Sequence, residues 1–289
     1  MPPALTTRDR PSTHLDVALV PAEAKRWGAT VCILLDELRA STMIVALLDH
    51  GATAVLPAPS LAAARRLARL HGTLLAGERH VVRAPGFDFG NSPMEVAAAP
   101  DLDGRSIALS TRNGTAVLHA LPSDASVIVG CLLNARASAR AALAIARETG
   151  ASIGIVCAGR RGAFAIDDAI AAGCIVERIL AEADDDGRPA TPDGQPASGR
   201  SAPAGRASPG SGAAERLGTI VLSDAARAAL QLWRSTPDIA AAFRSSWSGH
   251  LIISHGFGED VAFCAQVDRT DTVPAVVRGD PLRIERWPV

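Results

Sequence analysis

TVCILLDELRASTMIVALLDHG, residues 30–51, changes character once, at Asp36. Its first seven residues, TVCILLD (30–36), are a short apolar run with β-branched content, the mark of a buried strand. Beyond Asp36 the period becomes helical: Ser41 and Thr42 stand at the start of STMIVALLDHG and Gly51 closes it. A strand that feeds a helix through a polar turn is half of a βαβ unit.

The same grammar continues on both sides. DVALV (16–20), TAVLP (53–57), GTLLAGE (72–78), SIALST (106–111), SVIVG (126–130) and SIGIVCAG (152–159) all read as strands. SLAAARRLARLHG (60–72) and NARASARAALAIARETG (134–150) read as capped helices. This alternation predicts an α/β fold with a largely parallel or mixed central sheet flanked by helices. Residues 1–13 read as a loose leader, and 14–289 as one unit. That unit is interrupted at 184–214 by a disordered insertion rich in Pro, Gly and Ser. After it, helices are expected from Ser223 and Asp238. DVAFCAQVD (260–268), TVPAVVRG (272–279) and LRIERW (282–287) are expected to add strands.

Composition removes several classes of function. Lys+Arg is 29 against Asp+Glu 30, a net charge of -1, which excludes a basic nucleic-acid coat and a polybasic membrane binder. With 48% hydrophobic and 20% charged residues the chain is globular in composition. No apolar run is long enough to span a bilayer, and MPPALTTRDRPST lacks a signal-peptide core, so a cytoplasmic protein is expected. Five widely spaced cysteines with no CxxC pair indicate neither a disulfide framework nor a zinc knuckle. Lys25 is the only lysine and lies in no GxxxxGK[ST] frame, which excludes a P-loop.

In open α/β sheets, ligands bind beyond the carboxyl ends of the strands. There the sequence places Asp36, Glu37 and Arg39; Glu78 and Arg79; Ser110 to Thr115; Asn134; and Arg160, Arg161, Asp167 and Asp168. Acids for a metal, with arginines and small donors for phosphoryl oxygens, suggest a magnesium-assisted phosphate site. Spacing excludes other routes. Leu38 stands where a haloacid-dehalogenase-type phosphatase needs a second Asp, and Ala163 where a cysteine phosphatase needs Arg. Neither GxSxG nor a helix-opening GxGxxG is present. His255 and Asp260 have the H-x4-D spacing of some acyltransferases, without a supporting lipid-binding surface.

Eight ordered blocks then carry a resemblance: DELRAST (36–42), GER (77–79), PGFDFGNSP (85–93), STRNGT (110–115), GCLLNA (130–135), CAGRRGAFAIDDAIAAG (157–173), SDAA (223–226) and GFGEDVAFCAQVD (256–268). In these the chain resembles the 2-phosphosulfolactate phosphatases, the ComB-like family. The resemblance implies Mg²⁺-dependent hydrolysis of (R)-2-phospho-3-sulfolactate to 3-sulfolactate and phosphate, a biosynthetic step where coenzyme M is made. It implies a phosphorylated sulfonate as the small-molecule partner, with no nucleic acid and no membrane; a homo-oligomer stays open. The chain departs from the family pattern at Glu37, where a hydrophobic residue is usual, at Ser110 and Arg112, and at Arg160-Arg161.

On this basis Asp36 and Glu78 are the expected metal-side carboxylates, with Asp168 a third candidate. Asp36, Arg39, Arg79 and Asp168 are the expected catalytic residues. Arg112 is expected as a further anion clamp, and Asn91, Ser92, Asn113, Gly114, Thr115 and Asn134 as neutral substrate donors. Two other readings are open. One is a phosphatase for a different small phosphorylated hydroxy acid; the other is an inactive anion-binding protein on the same scaffold.

Overall fold

The computed structural model of the chain describes residues 12–27, 30–111, 117–118, 121, 124–185 and 220–288. Nearly all of the expected leader and insertion, and Arg112, Asn113, Gly114 and Thr115, lie outside these residues.

The strands are β1 (Thr13–Ala18), β2 (Thr30–Leu35), β3 (Ala54–Pro57), β4 (Leu74–Arg79), β5 (Val82–Arg83), β6 (Ser106–Ser110), β7 (Ser126–Val129), β8 (Ser152–Cys157), β9 (Ile220–Leu222), β10 (Pro274–Val277) and β11 (Arg283–Arg286). The α-helices are α1 (Ala40–Asp49), α2 (Leu61–His71), α3 (Pro93–Ala97), α4 (Ala135–Thr149), α5 (Ile166–Asp185), α6 (Asp224–Arg234), α7 (Ile239–Ser245), α8 (Trp247–Ser254) and α9 (Gly258–Cys264). The expected punctuation operates where it was read. Ser60 caps α2 by accepting from Ala63 N–H at 3.1 Å, and Gly72 ends it at φ 66°. Gly150 ends α4 at φ 69°.

These strands form one mixed sheet in the order β5-β4-β6-β3-β11-β10-β7-β2-β8-β1-β9. Two parallel blocks, β4-β6-β3 and β7-β2-β8-β1-β9, are joined by the antiparallel β10–β11 hairpin. The hairpin holds each block through a single residue pair, Ala275 with Ile128 and Ile284 with Val55. Residues following β2, β4 and β8 line one cavity.

Strand alternation builds the core. Val31, Ile33 and Leu35 of β2 point into a cluster with α4, α5 and α6. Cys32 and Leu34 point the other way, toward Met43 and Leu47 of α1. Helix α1 is buried from Ala40 to Leu48, so the helix that starts the site is itself a core element.

One expected element is wrong. DVAFCAQVD is expected as a strand, but its first half lies in helix α9. Glu259 and Asp260 occupy the first turn, where acids suit the helix dipole, and Val261 and Cys264 fall three apart on the buried face. Helix α5 also runs to Asp185, past the expected boundary of the insertion. Among the described residues no helix is long and apolar enough to cross a membrane.

Candidate active site

The turn after β2 is tied to the ends of two neighbouring strands by carboxylates. Asp168, at the start of α5, accepts Glu37 N–H at Oδ1 and Gly159 N–H at Oδ2, both at 2.8 Å. Glu37 Oε2 accepts Leu132 N–H at 3.1 Å, which fastens the segment after β7. Two side chains therefore cross-link the ends of β2, β7 and β8. Glu37 is wholly buried, so the added charge does not face solvent.

Asp36, Glu37, Asp167 and Asp168 are all buried. Burial pushes the Glu37 carboxyl well above its usual range, opposed by the Leu132 amide and aided by the charge of Asp167. Burial likewise raises Asp168, with repulsion from Asp167 and Asp36 adding to it. Asp167 is raised by burial to about 6, against the pull of its own amide and the Ser246 and Ser248 hydroxyls. These acids crowd together and resist simultaneous ionisation unless positive charge joins them.

Arg39 is caged on the other side of the same turn. Its Nη1 donates to Asp260 Oδ2 at 2.6 Å and its Nη2 to the Val81 carbonyl at 3.1 Å. Glu78 Oε2 lies 3.6 Å from Nη2, and the Phe257 ring lies 5.1 Å from the guanidinium carbon. Asp260 in turn accepts the Ser92 hydroxyl at Oδ1, at 2.6 Å. Ser92 also accepts Glu95 N–H and so caps α3. Arg39 and Asp260 are both almost fully buried, so the ion pair is well shielded from water.

A cavity of about 120 Å³ opens against this cage. Leu38, Arg39, Glu78, His80, Val81, Asn91, Arg160, Arg161, Ser248, Leu251 and Ile252 line it. Its wall carries strained backbone. His80 and Val81 have φ of 57° and 72°, and Arg161 has φ of 54°. Non-glycine residues rarely adopt this region, least of all a β-branched one, and each costs about 1–3 kcal/mol. Three of the four such residues described in the chain thus border one cavity.

The expected site residues are not all gathered there. Arg39, Glu78 and Asn91 line the cavity. Ser92 stands behind it on Asp260. Asp36 borders a separate small cleft with Ser41, Pro57 and Thr111, so it and Glu78 face different spaces. Asp168 is committed to two backbone amides. Arg79 is exposed at the end of β4 and is not among the lining residues. Asn134, expected as a substrate donor, is wholly buried. Its amide accepts Cys131 N–H and donates to the Val129 and Thr272 carbonyls, a brace between segments rather than a free donor. Sequence reasoning singled out Asp260 only for its H-x4-D spacing with His255, not as the partner of Arg39, and it missed the His80-Val81 turn and the α8 wall. Asp260 lies in a matching block, but nothing in local spacing reveals its partner. All five cysteines are buried free thiols whose ionisation burial opposes, so none is an activated nucleophile.

The donor set is compatible with Mg²⁺. Carboxylate oxygens are hard ligands, and Mg²⁺ commonly takes one or two of them along with substrate phosphate oxygens. Asp36 and Asp168 provide such oxygens inside the crowded acidic group, where a cation would relieve the repulsion. Among the described residues no three His, Cys, Asp or Glu side chains form a ready-made cage.

Comparison with known proteins follows the same line. Residues 18–279 match the family model described as 2-phosphosulpholactate phosphatase. A Deinococcus radiodurans protein is 35% identical over 252 residues, covering 86% of this chain and 89% of its own length. A Thermus thermophilus protein is 32% identical over 267 residues, covering 92% and 95%. Both carry the name "Probable 2-phosphosulfolactate phosphatase". Family model and relatives agree: the chain belongs to the 2-phosphosulpholactate phosphatase family, a family of phosphoric monoester hydrolases.

Proposed function

We propose that the chain hydrolyses (R)-2-phospho-3-sulfolactate to 3-sulfolactate and inorganic phosphate, with Mg²⁺. The observation that carries this reading is the cavity itself. Three arginines and a buried asparagine line it, and a buried group of four acids stands behind the turn that forms its wall.

The chain's own residues have distinct tasks. Arg39 is fixed by Asp260, Glu78 and the Val81 carbonyl, so its guanidinium does not reorganise when charge develops beside it. Asn91 offers its amide to the ligand. Asp168 holds the β2 and β8 turns in register through the Glu37 and Gly159 amides. Asp36 and Asp168 lie behind the cavity wall rather than in its lining; together they would hold Mg²⁺, which would supply positive charge on that side of the bound phosphate. Glu78 shapes the field around Arg39 from the cavity wall.

The test is inorganic phosphate release from a panel of esters by the purified protein. The reading expects the highest kcat/KM for 2-phospho-3-sulfolactate, and lower values for 2-phospholactate and p-nitrophenyl phosphate. Equal rates across the panel would remove the named substrate, and absence of turnover on every ester would remove the reaction.

A further inference from the structure

The cavity must hold a ligand with several negative charges, yet its most buried cation is already matched. Arg39 meets two carboxylates, Asp260 at 2.6 Å and Glu78 at 3.6 Å, so this trio is net negative when both acids are ionised. Attraction for the remaining charge of a polyanion has to come from other cations at the cavity.

Arg160 is placed for that. It follows β8 in a tight turn: its N–H donates to the Ala163 carbonyl at 2.9 Å, and Ala163 N–H donates back at 3.0 Å. Arg161 and Gly162 fill the turn with φ of 54° and 81°. Gly159 precedes it at φ 61°, and a Cβ there would strike the Ala163 carbonyl. The Arg160 guanidinium carbon lies 4.6 Å above the Trp247 ring centroid. Trp247 begins α8 and is 67% exposed, so the indole is a platform at the cavity rim rather than a core residue. An aromatic face orients a guanidinium without neutralising it, and leaves its N–H edge free to grip an oxyanion.

A second observation points to a ligand in the same place. Asn91 is 5% exposed, lines this cavity, and its Oδ1 has no hydrogen-bond partner among the described residues. A buried acceptor left so is completed by a donor, such as a water or a hydroxyl held together with the ligand.

We propose that Arg160, held on the face of Trp247, binds the oxyanion of the substrate that is not transferred, and so determines the preference for phosphate esters bearing a further strong acid group. This rests on the phosphatase reading above.

The experiment titrates 3-sulfolactate and, separately, inorganic phosphate into the full-length protein by calorimetry, with Arg160→Gln, Arg160→Lys and Trp247→Leu alongside. The expected result is about tenfold or greater loss of 3-sulfolactate affinity in Arg160→Gln, with phosphate affinity held within about twofold. Arg160→Lys should recover part of the loss, and Trp247→Leu should lose less than Arg160→Gln. In turnover, KM for 2-phospho-3-sulfolactate should rise while kcat stays within about threefold. Titration with lactate, and with 2-hydroxyethanesulfonate, assigns the group: the ligand that Arg160→Gln weakens carries it. Equal weakening for phosphate and 3-sulfolactate, or no change in Arg160→Gln, would overturn the proposal, as would a wild-type protein that does not bind 3-sulfolactate. If wild type binds 3-sulfolactate but hydrolyses none of the esters, the phosphatase reading fails while the role of Arg160 is still decided by the titration.

Discussion

Arg39 and Asp260 are 221 residues apart in the chain and meet at 2.6 Å in the interior. One follows the first strand of the sheet centre; the other lies in the first turn of the last helix. Their contact closes the molecule around the site, because Asp260 also holds the Ser92 hydroxyl and Arg39 also holds the Val81 carbonyl. A buried pair of this kind is weak evidence for net stability, but breaking it from one side is costly.

Asp260→Asn should therefore destabilise the protein by about 3 kcal/mol, since Arg39 would keep a buried charge with only Glu78 nearby. Urea denaturation measures this. The double variant Arg39→Met with Asp260→Leu should regain most of the loss by removing both charges, yet remain without activity. If Asp260→Asn unfolds at the wild-type urea concentration, the pair does not bear the load assigned to it.

The metal-free protein should lose stability as pH rises from about 4 to 6. Asp167 has its pKa raised from 3.8 to about 6 by burial, so the folded state favours its protonated form. That contribution is complete below the ordinary carboxylate range and is lost as pH passes through the folded value. Glu37 and Asp168, also raised, extend the decline beyond it. Urea midpoints in EDTA should fall across this window in wild type and fall less in Asp167→Asn. A rising curve would reverse the sign and contradict the burial argument.

If Asp36 and Asp168 hold Mg²⁺ as proposed, the ion should raise thermal stability at neutral pH, because only folding brings these acids together. At one hundred times its dissociation constant the gain is about 2.7 kcal/mol, a Tm increase of several degrees for a chain of this size. Asp36→Asn should lose most of that increase. Equal shifts with Mg²⁺ in both proteins would mean that the ion acts elsewhere or non-specifically.

Gly159→Ala should disturb the Arg160 turn. The left-handed φ of 61° and the collision with the Ala163 carbonyl together predict about 2 kcal/mol of destabilisation and a higher KM. Gly162→Ala, with open space around its Cβ, should cost about 1 kcal/mol. The comparison separates the collision from backbone strain alone, and equal losses would show that the collision is relieved.

Much of the fold was legible because it is local. β2, β3, β6, β7 and β8 begin and end within a residue or two of their apolar runs, and α2 and α4 stop at the glycines that invite a left-handed cap. Residues 260–268 misled because DVAFC alternates briefly, and only packing reveals the helical face of Val261 and Cys264. The site was legible as a set of strand ends and not as a set of contacts. At the strand ends Glu37 is expected among the acids of the site and Asn134 among its substrate donors; both are consumed by backbone partners elsewhere in the fold. Those pairings depend on which strands lie beside β7 in the sheet, which no local pattern encodes.

The most direct measurement is the initial rate of phosphate release from (R)-2-phospho-3-sulfolactate, for wild type and for folded Asp36→Asn, each with Mg²⁺ and with EDTA. The account predicts release by wild type with Mg²⁺, little or none with EDTA, and at least a hundredfold (~2.7 kcal/mol) lower kcat/KM in Asp36→Asn. Undiminished release in EDTA, or an Asp36→Asn rate equal to wild type, would contradict it.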